Sequence, residues 1–303
     1  MADKPRILVI LGPTASGKSG LAVKLAKKCH GEVISADSRQ VYKGLNIGTG
    51  KITKKEMQGV PHHLLDVAWH QKTFSVDQFK TLAEKAIEKI LAKGKLPIIC
   101  GGTGFYIQAL VDNFILPEVP PDPKLRKKLE KKKTHELFNV LAKLDIRRAA
   151  TIDLKNPARL VRAIEIATHL GFVPDLKKEP QYKALQIGIK TDDKILKAKI
   201  HKRLLSRIKL GMINEAKRLH ARGLSWKRME ELGLEYRYLG RFLQKKKPFD
   251  SAQGLKKMLE QLEREIWHYA KRQKTWFKKD KRIQWLKVNE FDTATNKINR
   301  FLR

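Results

Sequence analysis

The stretch Ile7-Leu8-Val9-Ile10-Leu11-Gly12-Pro13-Thr14-Ala15-Ser16-Gly17-Lys18-Ser19 decides how this chain is read. Five apolar residues make a strand, a glycine-containing octapeptide follows, and a helix-like run begins at its end. Strand, phosphate loop and helix stand in the required order. Backbone N–H groups of such a loop converge on a diphosphate, and the helix N-terminus adds partial positive charge. Gly12, Pro13, Thr14, Ala15, Ser16, Gly17, Lys18 and Ser19 are therefore the candidate phosphate site. Lys18 would reach the terminal phosphates, and the Ser19 hydroxyl would ligate Mg2+. A glycine-rich turn with no ligand is the alternative for these residues taken alone. The loop specifies a phosphorylated ligand and leaves open what happens to it.

Outward from the loop, the first third alternates strands with helices. Strands are expected over 6–11, 32–36 and 96–100, and helices over 17–28, 75–93 and 105–111. Ser75 is placed as an N-cap and Gly94 as a C-terminal stop. This alternation predicts an α/β fold: a parallel sheet of the P-loop type flanked by helices. Ligands then sit at the carboxyl ends of the strands, where the segments after Leu11, Ala36 and Cys100 converge. Pro117, Pro120, Pro121 and Pro123 crowd one short span and signal a rigid exit from the core. Residues 117–185 read as an all-helical insertion with two or three helices within 123–170. The core domain is then 1–116 together with 186–303. A strand over 186–189 returns to the sheet. Helices are expected over 192–222, 229–244, 251–279 and 291–302, and an edge strand over 283–286.

With 303 residues the chain can bury a sizeable core. It carries 65 Lys and Arg against 31 Asp and Glu, a net charge of +34. Such a field attracts polyanions and makes their binding salt-dependent. A lysine-rich surface shaped by genomic composition or by growth at high temperature is the other reading. Three basic clusters stand out: 124–133, the face carrying Lys199, Arg203 and Arg207, and 271–279. Each is also what a solvated helix face looks like. Trp276 and Phe277 in the third read as core packing ahead of base stacking. Cys29 and Cys100 offer neither a disulfide framework nor metal spacing. No apolar stretch approaches the length of a membrane span, and no signal sequence is evident. A cytoplasmic protein without a membrane partner is expected.

Beyond the phosphate loop, five ordered blocks carry a resemblance. Ser35-Ala36-Asp37-Ser38-Arg39-Gln40 opens a run that continues to Lys51 and is similar to the second motif of the bacterial tRNA dimethylallyltransferases. Pro61-His62-His63-Leu64-Leu65-Asp66 and Cys100-Gly101-Gly102-Thr103-Gly104-Phe105-Tyr106 resemble the next two. Asn156-Pro157-Ala158-Arg159-Leu160-Val161-Arg162-Ala163-Ile164-Glu165 resembles the insertion signature, and Tyr269-Ala270-Lys271-Arg272-Gln273-Lys274-Thr275-Trp276-Phe277 a C-terminal one. The resemblance spans most of the chain.

That family transfers a dimethylallyl group from dimethylallyl diphosphate to N6 of the adenosine 3′ of the anticodon in tRNA. The resemblance implies that the phosphate loop holds the diphosphate leaving group, whose growing charge Lys18, Arg203 and Mg2+ on Ser19 would share. Asp37 would accept the N6 proton, although Asp-Ser is also a common turn or cap. Thr103 would orient adenine or diphosphate, or serve as an N-cap. Contacts to tRNA would come from Asp37, Ser38, Arg39, Gln40, Thr103, Arg126, Ala158, Arg159, Leu160, Val161, Arg162 and Arg237. The target base would be extruded from the anticodon loop. A monomer is expected. Arg159 and Arg162 pairing with Glu165 on a solvated helix is the alternative for that block.

Two segments depart from the family pattern. Leu232-Gly233-Leu234-Glu235-Tyr236-Arg237 stands where Gly-Tyr and a basic residue are usual, and Ile266-Trp267-His268 where Thr-Arg-Gln is common. Three other readings stay open from sequence: a small-molecule kinase, a relative that prenylates free AMP, and a non-catalytic RNA-binding protein switched by nucleotide.

Overall fold

A computed structural model describes residues 3–244 and 252–303. In chain order, β1 (Arg6–Leu11) leads into α1 (Lys18–Lys28), β2 (Gly31–Ala36), the single-turn α2 (Lys54–Met57), β3 (His62–His63), α3 (Val76–Leu91), β4 (Leu96–Gly101) and α4 (Gly104–Val111). Then come β5 (Phe114–Ile115), α5 (Pro123–Leu129), α6 (Thr134–Leu144), α7 (Ile146–Thr151), α8 (Pro157–Leu170) and β6 (Lys177–Lys178). The chain continues with β7 (Lys183–Lys190), α9 (Asp193–Lys209), α10 (Met212–Ala221), α11 (Trp226–Leu232), α12 (Leu234–Leu243), α13 (Ala252–Lys278), β8 (Gln284–Lys287) and α14 (Phe291–Leu302). Ser251, expected to open the long C-terminal helix, lies outside the described residues.

Two compact units divide the chain: Met1–Asn113 with Pro180–Arg303, and Phe114–Glu179. In the first, six strands pair in parallel in the order β3-β2-β4-β1-β7-β8. β1 lies inside the sheet because it is apolar on both faces, as parallel strands covered by helices must be. Ile7, Val9 and Leu11 pack on the side of α3 and α4, and Leu8 and Ile10 on the side of α1 and α14. A third cluster joins Val41, Tyr42 and Leu45 to apolar residues of α9 through α13. The second unit packs α5 to α8 around Leu141, Leu160 and Ile164. It is not all-helical, since β5 and β6 form an antiparallel ribbon.

The insertion's edges lie at 114 and 179 rather than 117 and 185. Phe114 is already paired in the ribbon, while Lys183 pairs with Arg6 in the main sheet. Ser75 caps α3 in a reciprocal capping box with Gln78. The helix expected over 192–222 is broken at Gly211, φ 91°, and the one over 229–244 at Gly233, φ 73°. Apolar spacing runs on through both glycines, so periodicity alone does not show the breaks.

Candidate active site

Three strand ends converge, and each leaves a loop over the sheet's carboxyl edge. The Thr103 N–H after β4 donates to the Ala36 carbonyl that ends β2, at 3.2 Å. The Thr103 hydroxyl accepts the Ser38 N–H at 3.0 Å. Thr103 occupies the N-cap position of α4 without a side-chain cap bond, because its hydroxyl is committed to the β2 loop instead. Asp37 Oδ1 accepts the Arg39 and Gln40 N–H groups at 2.9 and 3.3 Å, the geometry of an Asx turn. Its Oδ2 has no partner among the described residues. Asp37 is therefore both a turn residue and a carboxylate with one oxygen left to meet a ligand.

The phosphate loop bends through positive φ at Ala15, 61°, and Gly17, 94°, and Gly17 caps α1. Lys18 Nζ donates to the Pro13 carbonyl at 3.3 Å. Burial lowers the Lys18 pKa, against the pull of Cys100 and Asp37. Arg203 reaches in from α9 and donates from Nη2 to Thr14 Oγ1 at 2.6 Å. Burial, followed by repulsion from Arg207, pulls Arg203 down to about 10, while Glu235 and Asp37 act the other way. Thr14, Lys18, Ser19, Asp37, Gln40 and Arg203 line one cavity. Two desolvated cations without an ion-pair partner among the described residues favour an anion between them. The buried Ser16 hydroxyl also lacks a partner there, the kind of orphan a bound anion can satisfy.

Ser19 and Asp37 put a hydroxyl and a carboxylate on the same cavity. Among the described residues no group of three His, Cys, Asp or Glu could hold a metal unaided. This donor set suits a small hard cation that takes its other ligands from phosphate oxygens and water. Cys100, also on the cavity wall, is pushed up to about 11 by burial, with Lys18 and a Ser19 hydrogen bond opposing. It is a protonated, structural thiol.

Several residues that hold the site together were not among the site residues expected from sequence. The buried Glu215 carboxylate accepts N–H groups of Asn46, Ile47 and Gly48 at 3.1, 2.8 and 2.9 Å, and the Tyr236 hydroxyl at 2.7 Å. It thereby clamps the loop that ends at Gly50 on the cavity wall. Arg207, one turn beyond Arg203, is not part of a solvated basic face. It is 5% exposed and pairs with Glu235 at 2.9 Å. Gln273, inside the last quoted block, bonds to both Thr14 and Gly102. Tyr269, near Thr103 and Asp37, has its phenol raised, mainly by burial. Phe277 is buried in the core, and the Trp276 ring lies against Gly104, as the packing reading expected.

The IPP transferase family model matches residues 40–280. The chain belongs to this family. A tRNA dimethylallyltransferase of Treponema denticola is 43% identical over 92% of this chain and 93% of its own length. The crystal structure of the full-length tRNA isopentenylpyrophosphate transferase of Bacillus halodurans is 35% identical, with a TM-score of 0.72 over 99% of this chain and 96% of that one. A eukaryotic dimethylallyltransferase caught acting on tRNA matches with a TM-score of 0.77 at 25% identity, over 95% and 75% of the two chains. The matched segment of the family model begins at 40. The phosphate loop and Asp37 precede that segment, and the match to the Bacillus halodurans structure, over 99% of this chain, extends across them.

As an IPP transferase, the chain places its remaining expected contact residues unevenly. In the insertion, the buried Glu165 takes Arg126 bidentately at 2.6 and 2.7 Å, Arg162 at 3.3 Å and the Asp122 N–H at 2.9 Å. Burial would raise this carboxyl, yet these donors hold it below its ordinary range. Arg126 and Arg162 are thus half-exposed structural partners of Glu165. Arg159 is exposed and pairs with Asp153 at 3.5 Å, its one ion-pair partner among the described residues, and Ala158 is exposed beside it. The side chains of Leu160 and Val161 point into the insertion core, so any contact they make with tRNA would come from the backbone. Arg237 pairs with Glu230 at 3.0 Å. The family's departure at Glu235 has a physical reason here, since that carboxylate neutralises Arg207.

No helix among the described residues is long and apolar enough to cross a membrane.

Proposed function

We propose that the protein transfers a dimethylallyl group from dimethylallyl diphosphate to N6 of the adenosine 3′ of the anticodon in tRNA, releasing diphosphate. The observation that carries this reading is that Lys18, Ser19, Arg203 and Asp37 line one cavity. The cations and loop N–H groups suit the leaving group, and Asp37 suits the acceptor. As the allyl C1–O bond breaks, its electron pair goes to the diphosphate, where Lys18 and Arg203 meet the growing charge. N6 bonds to C1, and its proton passes to Asp37 Oδ2. Thr103, tied to Ser38, would orient the adenine. Mg2+ would rest on Ser19 and supply further charge to the diphosphate.

Ser38, Arg39, Gln40, Ala158, Arg159 and Arg237 are the proposed tRNA contacts, with Arg126 and Arg162 contributing through their exposed edges. The +34 charge supports an RNA substrate over free AMP or a small-molecule kinase substrate. We place this activity in the cytoplasm and assign it to a monomer.

The test is to incubate the purified protein with Mg2+, dimethylallyl diphosphate and unmodified tRNA, and to analyse nucleosides by mass. N6-(dimethylallyl)adenosine supports the reading. ATP turnover without that nucleoside would return the phosphate loop to a kinase or triphosphatase.

A further inference from the structure

One glutamine side chain bridges the phosphate loop and the loop after β4. Gln273 lies on α13 and is 6% exposed. Its Oε1 accepts the Thr14 N–H at 2.8 Å, and its Nε2 donates to the Gly102 carbonyl at 2.8 Å. Both partners are backbone groups of fixed polarity, so the amide can face only one way. Gly102 leaves room for it: a Cβ there would sit 2.3 Å from Gln273 Nε2.

The bonds continue on either side. Thr14 Oγ1 accepts from Arg203, on the cationic side of the cavity. Gly102 precedes Thr103, whose hydroxyl takes the Ser38 N–H beside Asp37. A continuous run of hydrogen bonds and backbone therefore joins Arg203, Thr14, Gln273, Gly102, Thr103 and Ser38. Gln273 is the one side chain in it that reaches from the phosphate loop to the loop after β4.

We propose that Gln273 is a positioning residue that holds the donor cradle and the acceptor cradle in register; the inference rests on the prenyl-transfer reading above. Transfer requires N6 to face C1 at the moment the C1–O bond breaks, and a displacement of about 1 Å can cost on the order of a hundredfold in rate. The developing allyl cation is taken by whichever nucleophile is in reach. When the cradles slip, water is that nucleophile. Its oxygen bonds to C1, one of its protons is lost to solvent, the diphosphate departs with the electron pair, and dimethylallyl alcohol forms in place of the modified nucleoside.

The experiment measures transferred prenyl and released alcohol together, with tRNA and dimethylallyl diphosphate, for wild type, Gln273→Met and Gln273→Glu. Methionine fills the space and removes both bonds. Glutamate keeps an acceptor for Thr14 but sets an oxygen against the Gly102 carbonyl. Gly102→Ala displaces the amide from the other side and serves where a Gln273 variant fails to fold. The expected result is a fall in transfer kcat of at least about tenfold, KM for both substrates within about threefold, and a higher ratio of alcohol to transferred prenyl. A raised donor KM with unchanged kcat would confine Gln273 to the phosphate loop and overturn the inference. So would a lowered melting temperature with unchanged kcat and product ratio, which marks a structural role alone. Absence of transfer by the wild type would overturn the underlying reading and this inference with it.

Discussion

Arg203 is a partly buried cation beside a second cation, Arg207, and that condition gives it a testable signature. Removing it by Arg203→Ala should raise the KM for dimethylallyl diphosphate by at least about tenfold, as expected for a lost charge-assisted contact, while the KM for tRNA moves less than about threefold. Steady-state kinetics with each substrate varied in turn will show it; the opposite pattern would reject the diphosphate role. Burial and the neighbouring Arg207 pull its pKa down, yet a guanidinium stays charged across the working pH range, so Arg203 should add no pH dependence to donor affinity. Lysine is not an equivalent replacement, because it lacks the planar fork that meets two phosphate oxygens.

Helices α9 and α12 meet through Arg207 and Glu235, and their packing explains an oddity in the sequence. Arg207 Nη1 also donates to the Gly48 carbonyl at 3.3 Å, while Nη2 is buried without a partner among the described residues. A Cβ on Gly50 would lie 1.5 Å from Nη2, and Gly50 has φ 58°, so this position admits glycine alone. Glu235→Gly, which moves the segment toward the family pattern, leaves a buried guanidinium uncompensated and should destabilise the fold by about 3–5 kcal/mol. Arg207→Met added to Glu235→Gly should recover most of that loss, as apolar replacements of buried ion pairs do. Urea unfolding of the two singles and the double completes the cycle. None of this was legible beforehand. Lys199, Arg203 and Arg207 recur at helical spacing, but only the fold shows that the face runs from solvent into the core. Glu215 likewise reads as one more helical glutamate until loop 46–48 arrives from 167 residues away. The phosphate loop, by contrast, is contiguous, so its strand, turn and helix were all readable, and Asp37 and Thr103 followed from strand ends. Gln273 lies within a recognisable block, yet its partners lie 259 and 171 residues distant.

The net charge of +34 acts on the entire molecule. Affinity for tRNA should fall steeply with salt, each neutralised phosphate adding about −0.7 to −0.9 to the log–log slope. Arg159→Ala should reduce that slope by about 1, since Arg159 is exposed and only weakly paired. Filter binding across a salt series measures both; a slope near zero would remove RNA phosphates from the account. Stability in acid has a separate source. Glu32, buried at the start of β2, meets His63, Lys93 and Lys95. Burial would raise its carboxyl, but these partners bring it down from 4.5 to about 2. Its folded pKa is depressed, so its contribution is present above the ordinary carboxylate value and is lost as pH falls from about 4.5 toward 2. Glu32→Gln should remove on the order of 2 kcal/mol at pH 7 and flatten that acid loss, readable from melting curves across pH. If the strand ends set a proton acceptor opposite a diphosphate cradle, Asp37→Asn removes the acceptor alone. The amide oxygen can still take the Arg39 and Gln40 N–H groups, so the turn survives while the base is gone. The measurement is the single-turnover rate of N6-(dimethylallyl)adenosine formation beside the tRNA dissociation constant. A rate reduced at least about a hundredfold with tRNA affinity within a few-fold is the expected result. A rate near that of the wild type, or a loss of affinity as large as the loss of rate, would contradict it.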